Sequence, residues 1–403
     1  MKKVIIIGGG AAGFFTAINA KEMNPDLEVT ILEKGKEVLQ KVKISGGGRC
    51  NITHASFDPN ELIKFYPRGE KELLGPFHQF MTTDTFEWFE KNGIPLKIEK
   101  DNRVFPESNT SQTIVDCFLE KTNKLNIPVL KNHRVISIKK QGDLWCVNTK
   151  SQQFVCDALV MAVGSSNKVW ELSKSLGHTI VSPVPSLFTF TIKDPRIKDL
   201  SGISVPNAIV KLIDTKLEAS GPLLITHWGM SGPAILKLSA FGARILAEKN
   251  YEYGVEVNWL SRPTHQIVTL LLNLKKEQAK KQLIIRSPFE EIPKRLWEQF
   301  VISSEITSKS NWADLSHLQI ENLANQLTKS KFKAKGKSTF KEEFVTAGGI
   351  DLKEINFKRF ESKKQTNLFF VGEVLNIDAV TGGFNFQNAW TGGWVCAMAL
   401  AKD

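Results

Sequence analysis

The feature that most constrains this chain is the stretch from Val4 to Glu33. Val4-Ile5-Ile6-Ile7 is followed by Gly8-Gly9-Gly10-Ala11-Ala12-Gly13, and Val29-Thr30-Ile31-Leu32 then closes on Glu33. An apolar strand, a G-x-G-x-x-G turn, a helix and a second apolar strand ending in an acid form one continuous device. Gly8 permits the tight turn, Gly10 lets a pyrophosphate approach the backbone, and Gly13 lets helix and strand pack closely. The first amides of the helix and its positive dipole end suit phosphate. Glu33 lies where an acid reaches a ribose hydroxyl. A lone glycine fingerprint is weak evidence, but here its whole structural context is in order, and it predicts an adenine-dinucleotide site.

Met1-Lys2-Lys3 before an apolar run also has the outline of a secretory leader. Three glycines interrupt that run, Asn19, Lys21 and Glu22 close it, and no small-x-small cleavage site follows. A membrane span needs about 20 apolar residues, and no stretch of the chain supplies them. The expectation is a cytoplasmic protein without membrane segments. At 403 residues and 42% hydrophobic, the chain is long enough for two or three units. Cys50, Cys117, Cys146, Cys156 and Cys396 are scattered without C-x-x-C spacing, which argues against a zinc site, a disulfide framework or a redox-active disulfide. The formal net charge of +11 bears on encounter with anionic partners more than on fold.

The pattern predicts helices over 79–92 and 109–126, with Phe80, Phe86 and Phe89 on one side. Short strands follow at Val135–Lys139, Leu144–Thr149 and Gln153–Cys156. Ala158 to Gly164 then reads as a buried parallel strand. Adjacent glycines at 46–48 preclude regular structure there and allow close approach to a flat ligand. Prolines punctuate β-like segments from about Ser182 to Leu260, residues 264–326 read as mostly helical, and strand alternation resumes near Lys329. The expected fold class is α/β. A Rossmann-like domain (parallel sheet plus β-meander, 1–185 and 345–403) is interrupted by a β-rich insert (186–262 with 327–344) carrying a helical part (263–326). Asn367 to Glu373 is a second buried strand ending on an acid, and Thr381-Gly382-Gly383-Phe384-Asn385-Phe386 opens an apolar helix. This second anchoring site suits an extended ligand such as FAD better than a nicotinamide cofactor alone. No second G-x-G-x-x-G exists for NADH or NADPH, so such a reductant would dock without a Rossmann site of its own.

Four blocks together resemble the BaiN/YhiN-like family of FAD flavoproteins, near the glutathione-reductase-type FAD fold. They are the N-terminal fingerprint, Ser45–Asn51, Thr226-His227-Trp228-Gly229-Met230-Ser231-Gly232-Pro233-Ala234, and Val345–Gly349 continuing to Gly393. The resemblance implies that Gly8, Gly10 and Gly13 face the pyrophosphate and Glu33 the adenosine ribose, with Ala12 and Lys34 also among the cofactor-binding residues. Val135 would offer backbone contacts to adenine, and Arg49 and Asn51 would approach the flavin. Glu373 and Asp378 would lie near ribitol and pyrophosphate, Gly164 and Gly372 would also bind the cofactor, and Gly383, Asn385 and Phe386 would flank the isoalloxazine. Two departures stand out: Ser165-Ser166-Asn167-Lys168-Val169-Trp170 replaces a Gly-rich turn, and Asn376 occupies a position often acidic in the family.

The resemblance implies an FAD-dependent oxidoreductase acting on a small organic substrate held between flavin and insert, with reduction of conjugated enones as the leading reaction. FAD-dependent amine oxidation and a flavoprotein that meets nucleic acid are the alternatives. Catalytic residues are not assigned. His227 is either a polar group turned toward the flavin or a structural turn residue. Cys50 beside Arg49 reads as packed and inert rather than reactive, while Arg49 suits a reduced, anionic flavin. Lys329, Lys331, Lys333, Lys335 and Lys337 alternate along a strand, placing five ammonium groups on one face. With only Phe332 and Phe340 nearby for stacking, this row reads as protection of an edge strand, and nucleic acid is not the expected partner. No metal is expected, and oligomeric state is left open.

Overall fold

A computed structural model describes residues 1–338 and 345–402. The chain divides into two units, Met1–Val184 with Val345–Asp403, and Pro185–Phe344.

The first unit is built on a seven-stranded sheet in the order Ile355–Asn356, Glu361–Ser362, Leu368–Phe370, Ala158–Met161, Lys3–Ile7, Glu28–Leu32, Val129–Leu130. The last five run parallel, with Val4 opposite both Val29 and Ala158 and Val160 opposite Phe369. Strands buried on both faces need apolar residues at every position, and Ala158–Met161 and Leu368–Phe370 are buried throughout. The helix Ala11–Met23 follows the first strand directly, and Phe384–Lys402 packs along it. Between these helices and their neighbours lies an aromatic cluster. Phe15 sits 5.2 Å from Trp390 and 4.8 Å from Trp88, and Phe118 is 5.7 Å from Trp390. Phe80 and Phe89 are buried, Phe80 lying just ahead of the helix Thr82–Lys91. Phe86 is not: it is half-buried and packs on Phe57, and Trp88 takes the core position. The meander strands Val135–Gln141, Leu144–Thr149 and Gln153–Cys156 form a separate antiparallel sheet.

The glycine run at 46–48 interrupts regular structure, as expected, just after a short helix. Gln40–Gly48 begins as an ordinary turn of helix, and regularity breaks at Ser45 (ψ 153°), with Gly46 and Gly47 at φ 57° and 68°. The region after Arg49 is therefore aimed by a left-handed turn that glycine adopts at little cost. After the Ala158–Met161 strand, Asn167–Ser175 forms a helix, and Trp170 Nε1 donates to the Val374 carbonyl at 3.1 Å.

The second unit is a closed six-stranded antiparallel barrel in the order Thr189–Ile192, Gly229–Ser231, Glu218–Ile225, Ser204–Leu212, Glu252–Asn258, Ser330–Ser338. Alternation sends Val210, Leu212, Tyr253, Val255, Val257, Phe332 and Ala334 inward. Helices Thr264–Glu277, Lys294–Ser303 and His317–Thr328 bury Leu271, Trp297, Phe300 and Leu323 into the same core. The strand bearing the lysines is not an edge. It pairs with Thr189–Ile192 on one side and Glu252–Asn258 on the other, and a strand paired on both sides needs no protection against edge-to-edge association. Phe340 lies outside the described residues.

Candidate dinucleotide site

The two glycine-rich ends of the first unit's site are placed by the parallel sheet. The chain leaves Ile7 and turns at Gly8, whose φ is +118°. It then enters the helix with Gly10 at the N-cap and no side-chain cap there. The three fingerprint glycines have distinct jobs. A Cβ on Gly13 would stand 2.0 Å from the Gly8 carbonyl oxygen, and one on Gly8 would stand 2.3 Å from the Ala162 oxygen. A Cβ on Gly10 would meet nothing within 4 Å. Gly8 and Gly13 are thus demanded by packing, whereas Gly10 borders open space beside uncapped helical amides. That is a cradle for an anionic group.

Glu33 ties the acid-ended strand to this turn. Its carboxylate accepts from the Gly9 N–H at 2.8 Å and from the Gly35 N–H at 2.7 Å. A carboxylate has about four acceptor positions, so capacity remains for a hydroxyl. Lys34 beside it is exposed. The Glu33 carbonyl accepts from His133 N–H at 2.8 Å and the Gly35 carbonyl from Asn132 N–H at 3.0 Å. Val135, half-buried at the start of the meander, follows two residues later.

The second glycine-rich end lies against the first. A Cβ on Gly372 would approach Ala12 Cβ to 3.1 Å, and one on Gly164 would lie 3.7 Å from Glu373 Oε2. Glu373 pairs with Lys41. Asp378 is fully buried and held by the Arg68 guanidinium through two hydrogen bonds. Asn376 has a buried Oδ1 with no hydrogen-bond partner.

Asn51 and Gly383 meet directly. With its amide oriented to suit its neighbours, Asn51 accepts from Gly383 N–H at 3.0 Å and donates to the Thr53 and Val104 carbonyls at 3.0 and 3.2 Å. Gly383 has φ +95°, and a Cβ there would stand 2.5 Å from the Thr53 oxygen. Asn385 accepts from Ala379 N–H at 3.1 Å and donates to the Ala379 carbonyl at 3.3 Å, pinning the loop before the helix. Phe386 is half-buried and stacks on Trp390 at 5.5 Å and 10°.

Arg49 donates to Glu99 at 2.6 Å and lies over the Phe105 ring at 3.9 Å. Cys50 is buried, and burial pushes its thiol up to about 12 against a hydrogen bond from Ser45. Thiol, not reactive thiolate, is the resting form. The sequence pattern did not single out His54. Its ring stacks on Phe384 at 4.5 Å, its Nδ1 is buried without a hydrogen-bond partner, and burial lowers its pKa against the pull of Asp101. Its only signal is its place three residues after Asn51. In the second unit His227 and Trp228 are exposed at the turn into Gly229–Ser231. Among the described residues no cluster of three or more His, Cys, Asp and Glu could hold a metal, and no helix is long and apolar enough to cross a membrane.

Fold and site define a Rossmann-type dinucleotide-binding protein with a barrel insert. The chain belongs to the family described as HI0933-like protein Rossmann domain, whose model matches residues 2–399. It is 28% identical to the ribosomal RNA dihydrouridine synthase of Haemophilus influenzae over 99% of this chain and 98% of that protein. The Escherichia coli protein of the same name is also 28% identical, over 98% and 97%. The 3-dehydro-bile acid delta(4,6)-reductase of Clostridium scindens is 25% identical over the full length of both. Among solved structures, the 3-ketosteroid-delta4-(5alpha)-dehydrogenase of Rhodococcus jostii RHA1 superposes with a TM-score of 0.55 at 10% identity, covering 100% of this chain and 97% of that one. The likeness is one of fold. The chain is an FAD-dependent oxidoreductase of this family.

Proposed function

We propose that this flavoprotein reduces a carbon–carbon double bond conjugated to a carbonyl. The observation that carries the reading is the juxtaposition of two glycine-rich strand ends on one sheet, Gly8–Gly13 and Gly372–Gly383, with Ala12 against Gly372. That arrangement suits an extended dinucleotide with its two halves anchored separately. The uncapped amides after Gly10 would take the phosphates, Glu33 the ribose, and Asn51 and Asn385 would hold the backbone around Gly383 for the ring. Once reduced by a two-electron donor such as NADH or NADPH, bound FAD would supply hydride for the carbon β to the carbonyl, the α carbon taking a proton. The relatives' names share that bond type. A 3-keto-4,6-diene and the uracil ring both carry a C=C conjugated to C=O.

A small free enone is one substrate reading. Uracil within RNA is the other, and the charge favours it: residues 185–344 contain 23 lysines and arginines against 16 acids. Anionic polymer is the partner such a balance attracts. A nicotinamide reductant would act without a glycine fingerprint of its own.

Anaerobic stopped-flow absorbance at the flavin bands tests this. Chemically reduced protein is mixed in turn with a 3-keto-4-ene steroid, free uridine and uridine-containing RNA. Reoxidation by at least one conjugated acceptor is the expected result, and RNA alone reoxidising it selects the RNA reading. Reoxidation by none of them, with fast reaction toward oxygen and peroxide formation, would refute the reductase proposal. NADH and NADPH added to oxidised protein identify the donor by bleaching.

A further inference from the structure

We propose that the outer face of the barrel around the Ser330–Ser338 strand is a docking surface for single-stranded RNA, with Lys331, Lys333 and Lys335 meeting phosphates and Trp228 stacking a base. The proposal rests on the RNA reading above and names a surface that reading does not supply.

Five lysines alternate in the sequence, but the structure reduces the row to three. Lys329 precedes the strand as the cap of the His317–Thr328 helix. Lys337 lies past a register shift and sits over the Tyr251 ring at 3.8 Å. Lys331, Lys333 and Lys335 remain, all exposed, spaced about 7 Å apart by the rise of the strand. Inward-facing Phe332 and Ala334 are 2% exposed, so the pleat holds these ammonium groups outward. Because the strand is paired on both sides, protection of an edge does not explain them.

The flanks are unequal. On one side Lys335 lies 3.2 Å from Glu252, and Lys331 stands opposite Glu256, while Lys333 faces Gly254. On the other side the neighbouring strand offers Thr189 and Thr191, and just past its end Asp194 is taken up by Arg196, whose guanidinium donates to the Lys331 carbonyl at 2.5 Å. Across that neutral strand lies Trp228, whose carbonyl accepts from Ile192 N–H at 2.9 Å, and Ile192 is the partner of Ala334. At about 4.8 Å per strand step, the aromatic turn lies about 10 Å from the lysines. Trp228 is 48% exposed. Cationic groups tracking a backbone beside an aromatic platform are what binding to single strands uses.

The test is fluorescence anisotropy of the flavin-loaded protein with a labelled, uridine-rich RNA oligonucleotide across a salt series. Three proteins are compared: the natural chain, the triple variant Lys331→Gln, Lys333→Gln, Lys335→Gln, and Trp228→Ala. Loss of three phosphate contacts should flatten the slope of log affinity against log salt by about 2, since each contact on a single strand contributes about 0.7. Trp228→Ala should weaken binding about 5- to 100-fold with the slope unchanged, the signature of lost stacking. Thermal melting and flavin absorbance confirm that each variant folds. If the natural chain binds no RNA, the RNA reading itself falls. If it binds and the triple variant keeps both affinity and slope, this surface assignment is overturned while the RNA reading survives.

Discussion

The Arg68 guanidinium holds both carboxylate oxygens of Asp378 across 310 residues of sequence, and Asp378 has no exposure to solvent. The pair fastens the segment before the Glu70–Phe77 helix to the loop that leads into the Gly382–Gly383 turn. An ion pair in such a position is costly to break from one side, because the remaining charge stays buried.

Arg68→Ala is therefore expected to destabilise the first unit by about 3–5 kcal/mol. Adding Asp378→Asn should recover part of that loss by removing the stranded charge. Urea unfolding of the single and double variants checks both statements, and equal midpoints would show that the pair is not coupled.

Gly13→Ala should cost more than helix propensity would suggest. The added methyl would lie 2.0 Å from a backbone oxygen, and backbone cannot rotate away as a side chain can. Overpacking of this kind costs about 1–3 kcal/mol or more, and here it also displaces the amides proposed to take the phosphates. The expected outcome is a lower melting temperature together with loss of bound flavin. A variant that melts like the natural chain and retains flavin would refute the packing argument.

Glu33→Ala removes the acceptor of two backbone N–H groups and the proposed ribose contact. Hydrogen bonds to a charged group are worth about 1.5–3 kcal/mol. FAD affinity is expected to fall about 10- to 100-fold by titration of apoprotein.

Stability should decline on acidification through a cluster remote from the fingerprint. His178 Nδ1 lies 3.0 Å from Glu354 and Nε2 lies 3.1 Å from Ser362 Oγ. Burial lowers the His178 pKa, opposed by Glu354. For Glu354, burial acts upward, but hydrogen bonds from Lys364, Thr179 and His178 prevail and bring its carboxyl to about 2. Both folded-state values lie below those of the unfolded chain, so both contributions are whole at high pH. The His178 part fades as pH falls below its ordinary 6.5, and the Glu354 part fades between its ordinary 4.5 and about 2. Melting temperatures measured from pH 8 downward should fall in those two windows, and His178→Gln should remove the upper one.

Much of the first unit was legible because its signals are local. Gly10, Gly13 and Glu33 act mainly on neighbours within one strand–helix–strand passage, where residue type translates directly into geometry, although Gly8 is also pressed against Ala162 at the end of the neighbouring strand. The glycines at 46–48 signal the break that ends the helix, but its beginning at Gln40 is in a polar stretch with no apolar period. The barrel was not legible. Its closure depends on Phe190 meeting Lys337 and Glu252 meeting Lys335, pairings between residues far apart in sequence, and without them a lysine-bearing strand reads as an edge. Arg68 with Asp378 and His54 with Phe384 were missed for the same reason: each depends on contacts that no window of sequence contains.

The central claim is that the two glycine-rich strand ends bind FAD, and the spectrum of the purified protein tests it most directly. The account predicts flavin absorbance, with denaturation releasing FAD in equimolar amount with the chain, and lost on Gly13→Ala. A colourless protein that takes up no added FAD would contradict it.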